Sequence, residues 1–155
     1  MVIAVAACGS GQARAGTPPE QPGTATAVPA GTTTQVRGSM DVISARIPAP
    51  AAGAVTAQAE MTLADTSTAG PDALRAASSP AARAVVFTSD GHAITQIAIP
   101  VAAGSSLSTG PPYPDRILLT GLRHPLRTGQ MVTISLTFAR AGQATLQVPV
   151  IPPVP

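Results

Sequence analysis

Residues Arg116–Val150, RILLTGLRHPLRTGQMVTISLTFARAGQATLQVPV, decide the fold because their large apolar side chains alternate. In Met131–Phe138 the residues Val132, Ile134, Leu136 and Phe138 take every second position, with Thr133, Ser135 and Thr137 between them. That is the period of a half-buried strand. Ala139–Gln143 turns the chain at Gly142, and Ala144, Leu146, Val148 and Val150 resume the alternation. The spacing predicts a β-hairpin with one apolar face. Arg116–Leu122 reads as a third short strand, with Ile117 and Leu119 on one face and Arg116, Leu118 and Thr120 on the other.

Everything upstream has to supply partner strands for this sheet. Ser39–Ile47 reads as the first of them, and Pro48–Gly53 as a turn. In Ala54–Asp65 the residues Val55, Ala57, Ala59, Met61 and Leu63 fall on one face. Ala and Gln would also suit a helix there, but the period of two is the stronger signal. Ala73–Ala77 is a short strand or turn, Arg83–Thr88 a strand, Asp90-Gly91 a tight turn and Ile94–Ile99 a further strand. Gly104–Pro114, rich in Ser, Gly and Pro, reads as a loop, and Ile151–Pro155 as a loose tail. Seven or eight short strands separated by turn signals predict an all-β fold, an antiparallel β-sandwich.

At 155 residues with 45% hydrophobic and 10% charged residues, one domain over residues 38–150 is expected, and it is expected to be a monomer. Aromatic residues make up only 2%, so Val, Ile, Leu and Ala must build the core. The nine basic residues are all Arg and are spread along the chain, with a net charge of +2. Nucleic-acid binding needs a dense basic patch, so that class is excluded. Enzyme chemistry finds no seat either. The two His residues have no partner motif, no glycine loop cradles phosphate, and the seven carboxylates are scattered singly over loops and polar strand faces, where solvated charge is expected.

The N-terminus carries a different message. Val5-Ala6-Ala7-Cys8 matches a bacterial lipobox, in which the Cys is acylated and becomes the mature N-terminus. Residues 1–8 are then the end of a signal peptide. Only seven residues precede Cys8 and none is basic, so the true start is expected upstream of Met1. Cys8 is the only Cys, which excludes a disulfide within the monomer and a Cys-based metal cage. Residues 9–37, made of Gly, Pro, Thr, Ala and Gln, read as a flexible tether. The expected location is extracytoplasmic, anchored to the outer face of the cell membrane by lipid, because no apolar run approaches about 20 residues.

The order of pieces resembles a known family. AEMTLADTSTAGPDALRAASSPAARAVVFT, then IAIPVAAG, then LLTGLRHPLRTGQMVTISLTFARAGQATLQVPV are similar to the PCu(A)C copper chaperones. The matching elements include Met61-Thr62-Leu63, Ser79-Pro80, Ile99-Pro100, Gly121-Leu122, Pro125-Leu126, Leu136-Thr137-Phe138 and Val148-Pro149-Val150. With the lipobox, the chain resembles the divergent LpqE-type lipoproteins of actinobacteria. The resemblance spans about Ser39 to Val150. It implies a cupredoxin-like, immunoglobulin-like sandwich and a role in handing copper to respiratory oxidase assembly.

The same resemblance implies a copper site of His and Met, and here the chain departs from it. The first His of the family falls on Thr88, the His-x-Met pair on Arg116 and Leu118, and no Met lies between Met61 and Met131. Cu(I) favours thioether and imidazole donors. Arg repels a cation, Leu has no donor atom and a Thr hydroxyl is a poor ligand for a soft ion. No cofactor is therefore expected. Two readings stay open. In one, copper binds through a relocated site around His92, helped by a Met. In the other, the sandwich is a non-catalytic interaction or assembly module that meets another envelope protein. Its contact surface is then the face carrying Thr88, Arg116, Leu118 and Thr120 together with the Gly104–Pro114 loop, including Tyr113. His92 and His124 otherwise read as solvated, Met61 as core, and Met40 and Met131 as partly exposed at strand starts.

Overall fold

The computed structural model describes residues 34–35, 38–94 and 98–153. Cys8, the lipobox and most of the 9–37 tether lie outside the described residues. Within the described residues eleven strands occur: β1 (Thr34–Gln35), β2 (Met40–Pro48), β3 (Thr56–Asp65), β4 (Asp72–Ser78), β5 (Ala82–Ser89), β6 (His92–Ala93), β7 (Ile99–Val101), β8 (Ser106–Thr109), β9 (Arg116–Leu122), β10 (Met131–Phe138) and β11 (Gln143–Ile151). The fold is all-β, as the alternation predicts.

The hairpin that organises the sequence forms as read. β10 and β11 pair antiparallel from Met131↔Pro149 to Thr137↔Gln143. Val132, Ile134, Leu136, Phe138, Leu146, Val148 and Val150 are all buried. β10 also pairs with β4, and β4 with β7, giving one layer. The other layer runs β6-β5-β9-β3-β2, with β8 alongside the second half of β3 and β1 along β2. β2 joins the layers. Its first half pairs antiparallel with β3, and its end, at Ile47 and Pro48, pairs parallel with Val150 and Ile151 of β11. The sheet is therefore mixed at one seam.

β2 changes partner by means of a bulge. Its register against β3 shifts between Ile43 and Arg46, and Ser44 takes φ +56°. A bulge bends its strand, so Met40, Val42 and Ile47 reach one core although they do not share a simple parity. This explains the mixed apolar spacing of Ser39–Ile47.

Several boundaries differ from expectation. Gly104–Pro114 is not wholly a loop, because Ser106–Thr109 is β8. Thr109 is buried, and its hydroxyl donates to the Met61 carbonyl at 3.2 Å and accepts from the Met61 N–H at 3.1 Å. Ile94–Ile99 is not one strand: β6 ends at Ala93 and β7 begins at Ile99, with residues 95–97 outside the described set. β7 contains Pro100, which has no N–H to give a ladder and suits an edge. Ile151 is not loose, since it extends β11 and accepts from the Ala49 N–H at 2.8 Å. Thr34–Gln35 of the expected tether pairs with Asp41 and Val42. Val55 lies outside the core because β3 begins only at Thr56, and Met40 is fully buried.

The carboxylates are not all solvated. Asp65 and Asp72 are buried. Asp72 accepts from the backbone N–H groups of Ala73 (2.7 Å), Arg140 (2.9 Å) and Ala141 (2.8 Å). It thereby clamps the β10–β11 turn to the start of β4. Burial alone would raise its pKa, but the three N–H donors and the Arg140 charge outweigh it and hold the carboxyl below its ordinary value.

Candidate functional site

β5 and β9 pair so that Thr88 faces Arg116, Val86 faces Leu118 and Ala84 faces Thr120. Phe87 and Ile117, also facing each other, are fully buried in the core. Alternation therefore puts Thr88, Arg116, Leu118 and Thr120 together on the outer face. Four of the five residues expected at a contact surface thus form one strip of this face, but Thr88 is buried there and Arg116, Leu118 and Thr120 are half-buried. The Thr120 hydroxyl donates to the Ala84 carbonyl at 3.3 Å.

The next strand fixes the charge on this strip. Gln58 of β3 lies opposite Leu118, and its side-chain oxygen accepts from Arg116 Nη1 at 3.0 Å. The guanidinium is thus held against the sheet beside Thr88, which is 8% exposed. A fixed cation at this point raises the cost of placing a metal cation there.

Tyr113 is not on either strand of this strip. It is half-exposed at the rim of an open cleft between β2, β3, β8 and the turn that precedes β9. That turn is closed by Gly110 N–H to the Asp115 carbonyl and by Tyr113 N–H to the Gly110 carbonyl, each 2.8 Å. Across the cleft Arg46 Nε donates to Glu60 Oε2 at 2.8 Å. Sequence reading misses this pair, because Arg46 and Glu60 become neighbours only through the register shift in β2.

The candidate donors for a relocated metal site do not gather. His92 is exposed in β6 opposite Ser89, while Ala93 is the residue that faces Thr88. Alternation puts His92 on the face away from Thr88. His124 is exposed in the β9–β10 connection. Met40 and Met61 are in the core, and Met131 is exposed at the start of β10, in the other layer. Among the described residues no three His, Cys, Asp or Glu side chains come within reach of one metal ion. No helix among them is long and apolar enough to cross a membrane.

Solved structures with this fold include the copper-bound PCuAC domain from PmoF2, with 23% identity over 79% of this chain and 99% of that one and a TM-score of 0.69. The apo PCuAC domain from PmoF1 gives 19% identity over 79% and 100%, with a TM-score of 0.70. The solution structure of Cu(I)-DR1885 from Deinococcus radiodurans gives 22% identity over 82% and 81%, with a TM-score of 0.58. At these identities the likeness establishes the fold. No curated protein sequence matches the chain. The family model described as lipoprotein LpqE-like matches residues 40–150, from the first residue of β2 to the last but one of β11. The chain is therefore a member of the LpqE-like family, built on a PCuAC-type β fold.

Proposed function

We propose that the protein is an envelope lipoprotein whose copper-chaperone-like domain has given up the usual copper ligands and acts as a non-catalytic interaction or assembly module. One observation carries this: Arg116, held by Gln58 and facing Thr88, puts a guanidinium where the resemblance asks for imidazole. Arg, Leu and Thr offer no soft donor, so the strip Thr88–Arg116–Leu118–Thr120 is better suited to a protein than to Cu(I). An Arg beside an apolar side chain on a rigid sheet is a composition that interfaces favour. Acylation of Cys8 would keep this strip at the outer membrane face, and the partner is another envelope protein.

The test is an anaerobic competition for Cu(I) between the full chain and a chromophoric chelator. Cys8→Ser is used throughout, because a free thiol would itself take Cu(I). The expected result is no transfer of copper to the protein. One tight equivalent that disappears in His92→Ala would overturn the proposal and establish a relocated chaperone site. The lipid anchor is tested apart: Cys8→Ser expressed in a native host should leave the membrane fraction.

A further inference from the structure

The cleft beside Tyr113 is about 200 Å³ and lies outside the strip just described. Its walls have a definite chemistry. Ser44, Arg46, Glu60, Thr62, Ser108 and Tyr113 line it. The charges of Arg46 and Glu60 cancel, and their one hydrogen bond uses Nε and Oε2. The two terminal guanidinium nitrogens and Oε1 make no hydrogen bond to the described residues, and the Arg46 side chain is 47% exposed. The Thr62 and Ser108 hydroxyls are 3.0 Å apart and share one bond, which leaves lone pairs and a proton to offer.

Two further observations converge on the same place. Tyr113 is the only Tyr of a chain with no Trp, and both Phe residues are buried, so it is the one six-membered aromatic ring at the surface among the described residues. The wall beneath it contains the β2 bulge, where Ser44 holds a left-handed backbone that a non-glycine residue adopts only at a cost. Bulges and such strained residues concentrate where a surface is shaped for binding.

A charged ligand finds no net charge here, and an apolar ligand finds hydroxyls. A neutral polyol satisfies both conditions. The C–H face of a sugar ring packs on an aromatic ring, and vicinal hydroxyls match the planar fork of a guanidinium and a carboxylate. We infer that this cleft binds a neutral carbohydrate, with Tyr113 as the stacking platform and Arg46 and Glu60 as the hydroxyl-binding pair. The inference uses none of Thr88, Arg116 or Leu118, so it stands independently of whether copper binds.

The composition supplies the probe, because tyrosine emission of the full chain, excited beyond the Phe band, comes from Tyr113 alone. The chain is titrated with maltohexaose, mannotetraose and tetra-N-acetylchitotetraose, following Tyr113 emission and the amide resonances of Ser44, Arg46, Glu60 and Ser108. At least one sugar is expected to give a saturable change at up to about 10 mM. Arg46→Ala and Glu60→Ala should each weaken it about tenfold or more. Arg46 is exposed, so Arg46→Ala should do so without lowering Tm appreciably, while the folding of Glu60→Ala, whose side chain is only 14% exposed, is checked by its amide spectrum. Tyr113→Ala should abolish the resonance shifts. Three flat titrations overturn the inference. So does an undiminished response in Arg46→Ala and Glu60→Ala, or inorganic phosphate moving these resonances while the sugars do not.

Discussion

Thr88 and Arg116 stand directly opposite each other across β5 and β9, with Leu118 two residues further along the same face. Opposed residues of this kind have Cβ atoms about 4.5–5.5 Å apart, near enough for two imidazoles to share one ion. Under the proposed function, this is the pair on which copper donors would have stood.

Placing copper donors on this pair and on Leu118 should create binding. The variant Thr88→His/Arg116→His/Leu118→Met, in the Cys8→Ser background, is expected to take up one Cu(I) in chelator competition. Arg116→Gln alone should remove the cation and still bind none, since no donor replaces it. If the triple variant folds and competes no better than its parent, the strip does not have the geometry of a copper site.

Asp72 makes stability depend on pH. Its folded pKa lies below its ordinary value, so its contribution is fully present above about pH 4. It is lost as pH falls through the folded pKa. Asp72→Asn should cost about 2–3 kcal/mol at pH 7, because a charged acceptor of three backbone N–H groups becomes a neutral one with its own donors. The checking measurement is urea unfolding from pH 7 to pH 2: the gap between parent and variant should close at the acid end. A gap independent of pH would mean that packing, and not the carboxylate charge, holds the β10–β11 turn.

Gly110 and Gly53 separate backbone strain from collision. Both have positive φ, +96° and +80°. A Cβ on Gly53 meets nothing within 4 Å, whereas one on Gly110 would come within 2.7 Å of Glu60 Cγ. Gly53→Ala should cost about 1–2 kcal/mol, the price of a left-handed alanine. Gly110→Ala should cost clearly more and should displace Glu60 from Arg46. Equal unfolding midpoints for the two variants would show that Glu60 moves aside freely.

Much of the fold was legible because β3, β9, β10 and β11 bury one face and expose the other, which writes a period of two into the sequence. Legibility fails where burial is arranged by something other than apolar side chains. The sequence SLST of β8 has one large apolar residue, and its order comes from the Thr109 hydroxyl on the Met61 backbone. The apolar positions of β2 lose their parity at the Ser44 bulge. Asp72 looks like a surface charge until the turn at Arg140 and Ala141 is folded onto it. The strip of Thr88, Arg116, Leu118 and Thr120 was readable from alternation plus resemblance. The cleft was not, because Arg46, Glu60 and Tyr113 are brought together only by a register shift and a turn.

The Thr109 hydroxyl offers the sharpest check on β8. Thr109→Val keeps the shape of the side chain while deleting both the bond to the Met61 carbonyl and the acceptor for its N–H. Since the site is buried, leaving those groups unpaired should cost about 1–3 kcal/mol. Hydrogen exchange should localise the loss: protection should fall in β8 and at Met61 and Leu63, the β3 residues whose N–H groups face it, while Thr62 and Ala64, which face β2, and Thr56–Ala59, paired with β9, should keep theirs. Thr109→Ser, which retains the hydroxyl, should recover most of the protection. Uniform loss across β3 would instead mean that β8 and β9 open together, and that the strand gains its order from the sandwich as a whole.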